Sequence, residues 1–307
     1  MKRIITLGLP SSGKSCYLGV AAGFMCRNKL YEIVNKSQNL SRLSDTIHED
    51  MKAGKWVGKT IGRMEYQFTK KGIAWLKDVH WLKDVHWLKK GAQRFDTEYI
   101  LHDWNGEYFQ LLGLDEEQAV KSWERAQENI DGKKVAGKAL RELYEADCRD
   151  ADAILLFIDG KTLIEKANDG ESEKKRTRES LYTLVEILRK SKKQRVISIA
   201  LTKSDYLENY GEFLDANRKI NAKKVEECLR DNYNSTFSEI ESAGHKVHVS
   251  LVSCIPVREH RTSMSGRGAV PNAQWEYVDL TRSNVNIYED DFPNDMLAPI
   301  RWVIDNT

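Results

Sequence analysis

The sequence predicts an α/β domain, doubly wound around a mainly parallel sheet, and three observations carry that expectation. The octapeptide GLPSSGKS (8–15) stands between a short β-rich apolar run, Arg3 to Leu7, and an apolar stretch of helical character, CYLGVAAGFM (16–25). Further short apolar runs follow at EYILH (98–102), ILLFID (154–159), VISIALT (196–202) and HVSLV (248–252), separated by segments of helical period. Polar motifs stand directly after these runs, where ligands of open parallel sheets bind.

The size and composition set bounds on this. A chain of 307 residues, 41% apolar and 31% charged, has room for one large globular domain, taken here as 1–307, with insertions at 70–92 and 109–150. A net charge of +2 gives no reason to expect a nucleic-acid or membrane surface as the main partner. Cys16, Cys26, Cys148, Cys228 and Cys254 lack metal-ligand spacing, which suggests free thiols in a reducing compartment. No apolar run approaches the length of a membrane span, and no leader is visible before the first strand. A cytoplasmic protein is expected.

Gly8, Gly13, Lys14 and Ser15 match G-x-x-x-x-G-K-[ST], the phosphate-binding loop. Glycines let the backbone wrap closely, so that the N–H groups from Ser11 to Cys16, those of Ser12 and Gly13 included, form an anion nest. Lys14 adds charge at the β/γ-phosphates, and the Ser15 hydroxyl can hold Mg²⁺. The bland alternative is a Gly/Ser turn with a surface lysine. The flanking strand and helix are the context that decides against it.

Leu40, Leu43, Ile47 and Met51 share a helical face, and residues 54–60 read as a loop before a strand at 63–68. The segment 75–90, WLKDVHWLKDVHWLKK, then repeats a six-residue unit. His80, His86, Asp78 and Asp84 do not make a compact metal set there. Six residues turn a helix by about 600°, and a strand of even period lines its residues up along one side. A hairpin or loop insertion with three exposed tryptophans is expected, serving partner contact or self-association. After Asp103-Trp104-Asn105-Gly106, the apolar spacing of Trp123, Ala126, Ile130, Ala136, Ala139, Leu140 and Leu143 predicts a helical insertion over 109–150. Leu181, Leu184, Val185 and Leu188 mark a helix whose basic end suits its dipole. Residues 261–272 read as a loop, and 299–304 as a closing helix.

Thr202-Lys203-Ser204-Asp205 ends the strand 196–202. A carboxylate at that place can accept two hydrogen bonds from guanine N1 and N2, a donor pair that adenine lacks. The tetrad could also be a strand-end turn with Asp205 capping a helix. It resembles the [NT]-K-x-D signature of translation-factor and Ras-like GTPases. Asp103-Trp104-Asn105-Gly106 resembles their D-x-x-G and Ser253-Cys254 their guanine loop, all in the family's order. The chain thus resembles a P-loop GTPase of the TRAFAC class (the G domain). Its layout is similar to those of bacterial conflict and signalling gene clusters.

The resemblance implies GTP/GDP and Mg²⁺ as ligands. Lys14 and Ser15 would hold phosphate and metal, Asp103 would hold the metal through a water, and Thr60 would close over metal and γ-phosphate, with Thr46 and Thr69 as less well-placed alternatives. The Gly106 N–H would sense the γ-phosphate and move the loop after it. Thr202, Lys203, Asp205, Ser253 and Cys254 would hold the base. Glu107 stands where Ras-like members carry glutamine, which puts the hydrolytic rate in doubt. The implied function is a GTP-hydrolysing molecular switch with a protein partner or effector. The alternatives are a slow or non-hydrolysing GTP-dependent recruitment module, and an ATPase or small-molecule kinase with Asp159 as the metal carboxylate.

Overall fold

The apolar runs become strands; those at 154–159 and 196–202 are buried on both sides, while that at 248–252 is only partly buried. The computed structural model describes residues 1–27, 31–33, 63–70, 97–130, 132–164, 172–253, 257–260, 274–277 and 295–307. Its strands are β1 (Lys2–Gly8), β2 (Tyr31–Ile33), β3 (Arg63–Lys70), β4 (Thr97–Trp104), β5 (Gln127–Ile130), β6 (Lys133–Ala136), β7 (Ala153–Asp159), β8 (Val196–Thr202), β9 (Lys246–Leu251), β10 (Val257–His260) and β11 (Gln274–Tyr277). Seven of them form one sheet in the order β2-β3-β4-β1-β7-β8-β9. β2, β3 and β4 pair antiparallel, and the rest of the sheet is parallel. β5 with β6 and β10 with β11 form separate two-stranded antiparallel sheets.

Strand alternation sends successive side chains to opposite faces. Ile154, Leu156 and Ile158 of β7 enter one core, and Ala153, Leu155 and Phe157 enter the other. The first core is covered by α2 (Gly106–Leu112), α3 (Glu116–Arg125), α4 (Gly137–Asp150), α5 (Glu173–Arg189), α6 (Ala222–Asn232) and α7 (Asn234–Ser242). The second is covered by α1 (Lys14–Arg27) and α8 (Ala298–Asn306). The architecture is the expected doubly wound α/β fold. Among the described residues, no helix is long and apolar enough to cross a membrane.

The segment expected to be helical over 109–150 departs from that reading. Helices α3 and α4 are present, but between them β5 and β6 pair antiparallel. Ala126 is the extended C-cap of α3, and Ile130 lies in a strand rather than on the helical face of Trp123. Gly132, at φ 76°, supplies the left-handed turn. The stretch after Gly106 also differs, being helix rather than loop. Asn105 caps α2 by accepting the Glu107 N–H at 3.1 Å, and Tyr108, Phe109 and Leu112 are buried. The repeat at 75–90, the helix expected near Leu40 to Met51 and the loop 261–272 lie outside the described residues.

Candidate functional site

Strands β1, β4, β7 and β8 bring their C-terminal ends to one edge, and each end carries a predicted motif. Beyond β1 the loop 8–15 turns sharply: Ser11 (φ 66°) and Gly13 (φ 78°) are left-handed. The Ser12 N–H donates to Leu9 O at 3.2 Å, and the Tyr17 N–H to Gly13 O at 2.9 Å, which starts α1. A Cβ on Gly8 would lie 2.7 Å from both Phe157 O and Ser12 Oγ, so only glycine lets the loop sit on β7. Ser12 Oγ is buried without a hydrogen-bond partner among the described residues. An unpartnered hydroxyl within a loop wound this tightly suits a phosphate oxygen.

Lys14 is buried, and its Nζ lies 3.4 Å from Asp103 Oδ1. Asp103 is Thr6's register partner across β1 and β4, and it accepts the Thr6 hydroxyl at 2.5 Å. The lysine of one motif and the carboxylate of another thus share a buried spot. Gly106 completes the junction. A Cβ there would meet Pro10 N at 2.7 Å and Gly8 O at 2.8 Å, so D-x-x-G packs directly on the phosphate loop. Gly106→Ala should therefore push the two apart. We expect a loss of about 1–3 kcal/mol in thermal unfolding, typical of overpacking, and weaker nucleotide binding. An alanine variant with wild-type values for both would refute this contact.

The third motif is tied to the first. Thr202 Oγ1 donates to Ser12 O at 2.6 Å, and a Cβ on Gly13 would come within 3.3 Å of Thr202 Cβ. Lys203 is left-handed (φ 52°), and its ammonium pairs with the buried Asp159 carboxylate, whose other oxygen accepts the Lys161 N–H at 2.9 Å. Asp159 is thereby engaged at both oxygens. The ATPase alternative gave this carboxylate to a metal; in this structure it holds Lys203 and the turn after β7. The Ser204 N–H donates to Val252 O at 3.2 Å, which brings the segment after β9, with buried Ser253, against the tetrad. Asp205 is half-buried, in the first turn of a 3₁₀ segment, Ser204–Asn209, whose N-cap is Lys203 rather than Asp205. The turn-capping alternative finds no support there.

The sequence pattern of the Double-GTPase 2 family (DO-GTPase2) matches residues 88–253, more than half of the 307. The chain belongs to the Double-GTPase 2 family. It is a P-loop GTPase domain of the TRAFAC type, and membership supports guanine-nucleotide binding. The matched span holds D-x-x-G, TKSD and Ser253, while the phosphate loop at 8–15 precedes it. No curated protein matches the chain. Among solved structures it is similar to the signal recognition particle receptor SRb-GTP/SRX complex from Chaetomium thermophilum, at 12% identity over 83% of this chain and 91% of that one, with a TM-score of 0.42. It is also similar to the S. cerevisiae Ski7 GTPase-like domain bound to GDP and inorganic phosphate, at 11% identity and a TM-score of 0.42, covering 82% of this chain but only 43% of that one.

Other predicted residues of this Double-GTPase 2 member fall variously. Ser15 and Cys16 open α1 beside the loop, both half-buried. Burial pushes the Cys16 thiol above its ordinary value, and the Lys203 charge partly opposes this. Glu107 is exposed. Thr60, Thr46 and Cys254 lie outside the described residues. Thr69 pairs with Glu98 near the start of β4, at the opposite edge of the sheet, and is removed as a metal candidate. Arg63, by contrast, pairs with Trp104 and opens β3 at the nucleotide edge. The sequence reading missed Thr6, the pairing of Asp159 with Lys203 and the tie made by Thr202. Their signal is positional: a polar residue within or closing an otherwise apolar strand.

Proposed function

We propose that the chain binds Mg²⁺–GTP at this edge, hydrolyses it to GDP and phosphate, and acts as a nucleotide-dependent switch on a protein partner in the cytoplasm. The observation that carries the reading is the Thr202–Ser12 hydrogen bond, which joins a phosphate loop to a guanine-type tetrad within a Double-GTPase 2 member. The N–H groups of the loop and Lys14 neutralise charge developing on the β–γ bridge as phosphate leaves. Ser15 would hold the metal directly and Asp103 through a water, with Thr6 fixing the orientation of that carboxylate. When bound, Mg²⁺ supplies charge neutralisation on the β- and γ-oxygens. Lys203 and Asp205 hold the base, with Ser253 flanking it. Thr60 and Cys254 keep the roles that the family resemblance gives them.

Glu107 favours a second reading, that of a slow GTPase recruiting a partner. An exposed carboxylate beside the γ-phosphate is repelled by it, and water would be oriented poorly. Single-turnover GTP hydrolysis with and without cell extract separates the two. Phosphate release only with extract fits the switch, none under either condition fits the recruitment module, and phosphate on any acceptor but water would establish a kinase. Glu107→Gln should keep GTP affinity within about twofold and hydrolyse faster. A loss of roughly 10²-fold in rate at unchanged affinity would make Glu107 the general base instead.

A further inference from the structure

The residue after Asp103 is a tryptophan for which the nucleotide chemistry has no use, and it is one of the most deeply buried side chains described, at 1% exposed. Its ring stands edge-on to Tyr144 of α4 (5.1 Å between centroids, 90°) and to Tyr108 of α2 (5.7 Å, 89°). Trp123 of α3 stacks on Tyr108 at 5.3 Å. The D-x-x-G segment therefore places its own ring in a box whose other walls come from the helix it opens and from the arm formed by α3, the β5–β6 pair and α4. A polar clasp closes over it. Asp147 Oδ2 on α4 accepts Trp104 Nε1–H at 3.0 Å and Arg63 Nε–H at 2.8 Å, and lies 3.3 Å from His102 Nδ1.

We propose that Asp147 is a positioning residue: it clamps Trp104 and Arg63, the ends of the two strands at the metal edge, so that the arm and the Mg²⁺–nucleotide site move as one. The inference rests on the nucleotide reading above. Trp104 lies between Asp103 and Gly106, and Arg63 is its register partner across β3 and β4. A shift of D-x-x-G must carry the arm with it, or else break both hydrogen bonds and expose the indole. Close-packed ring clusters resist intermediate positions, so the arm has discrete stances. Asp147 suits the part. Burial alone would raise its carboxyl, but His102 and Arg63 outweigh that and hold it below its ordinary value, so it is ionised at neutral pH. Coupling of this kind is reciprocal: whatever grips the arm alters GTP affinity by the same factor.

Hydrogen exchange on the full chain tests this, comparing Mg²⁺ with a non-hydrolysable GTP analogue against Mg²⁺ with GDP. In the wild type, amides of 127–150 should differ in protection between the two nucleotides. Asp147→Asn and Trp104→Phe should each still bind GDP but lose that difference, and their preference for the GTP analogue over GDP should shift by about 5- to 10-fold. The phenylalanine variant keeps one ring in the box and leaves Asp147 paired with Arg63, losing the N–H donor and part of the indole's volume, so it gives a second reading if Asp147→Asn folds poorly. The proposal is overturned by arm exchange that is identical with both nucleotides in the wild type. Full retention of the difference in the Trp104→Phe chain would equally overturn it. A wild type that binds neither nucleotide would sink the nucleotide reading itself, a distinguishable result.

Discussion

Asp205→Asn should convert a GTP-binding protein into one that prefers xanthosine triphosphate. A carboxylate presents only acceptors, matching the N1–H and N2–H donors of guanine. The amide turns one of those acceptors into a donor facing another donor. An unpaired buried donor costs about 1–3 kcal/mol, and more where the lost partner was charged. We therefore expect GTP to weaken by roughly 10²-fold or more, at 1.4 kcal/mol per factor of ten. Xanthine carries a carbonyl at C2, which the new N–H can face. The tetrad is well held for such a test: Thr202 is tied to the phosphate loop, Lys203 to Asp159, and the Ser204 N–H to Val252 O. Competition binding with GTP, XTP and ATP reads the outcome. Equal wild-type affinity for ATP and GTP would show that the base is not selected at Asp205.

Lys14→Ala should abolish nucleotide binding at micromolar protein. It removes the one side-chain cation that the loop 8–15 carries, and with it the buried counter-charge 3.4 Å from Asp103. The second loss touches the protein without any ligand. Removing one partner of a buried ion pair typically costs about 3–5 kcal/mol, so the melting temperature should fall as well. The double readout is useful because an ordinary surface lysine would produce neither effect. GTP affinity within tenfold of wild type would mean that the loop does not hold the phosphates.

Much of the site was legible because its motifs end strands. Residues that must face a ligand at a sheet edge follow directly on apolar runs, so β1, β4, β8 and β9 each point to their own motif. Gly8 and Gly106 could be picked out by type, though only the fold shows why: each lies where a Cβ would strike backbone, Phe157 O in one case and Pro10 N in the other. Asp159 was visible as a strand-ending acid but not as the partner of Lys203, since that pairing spans neighbouring strands. The β5–β6 pair is hidden from a periodicity argument because Trp123, Ala126 and Ile130 happen to keep helical spacing. The better signal was local. The dipeptide Asp131-Gly132 between two short runs is a sequence signal for a hairpin, and a stronger one than the periodicity. Trp104 and Asp147 carried no sequence signal at all, because an indole in a box looks like any apolar residue until its walls are in place.

The position of β1 bears on how the molecule is made. This strand lies at the centre of the sheet, yet both of its neighbours come much later in the chain: Ile4 pairs with Leu101 on one side and Ala153 on the other. A ribosome working from N- to C-terminus releases it long before either flank exists, so its apolar residues must wait unpaired. Non-local closure of this kind slows folding and leaves a sticky segment exposed meanwhile. The phosphate loop hangs from the end of that strand. Nucleotide therefore cannot template the early stages of folding, and the capacity to grip phosphate should arise only once the chain has emerged past β7.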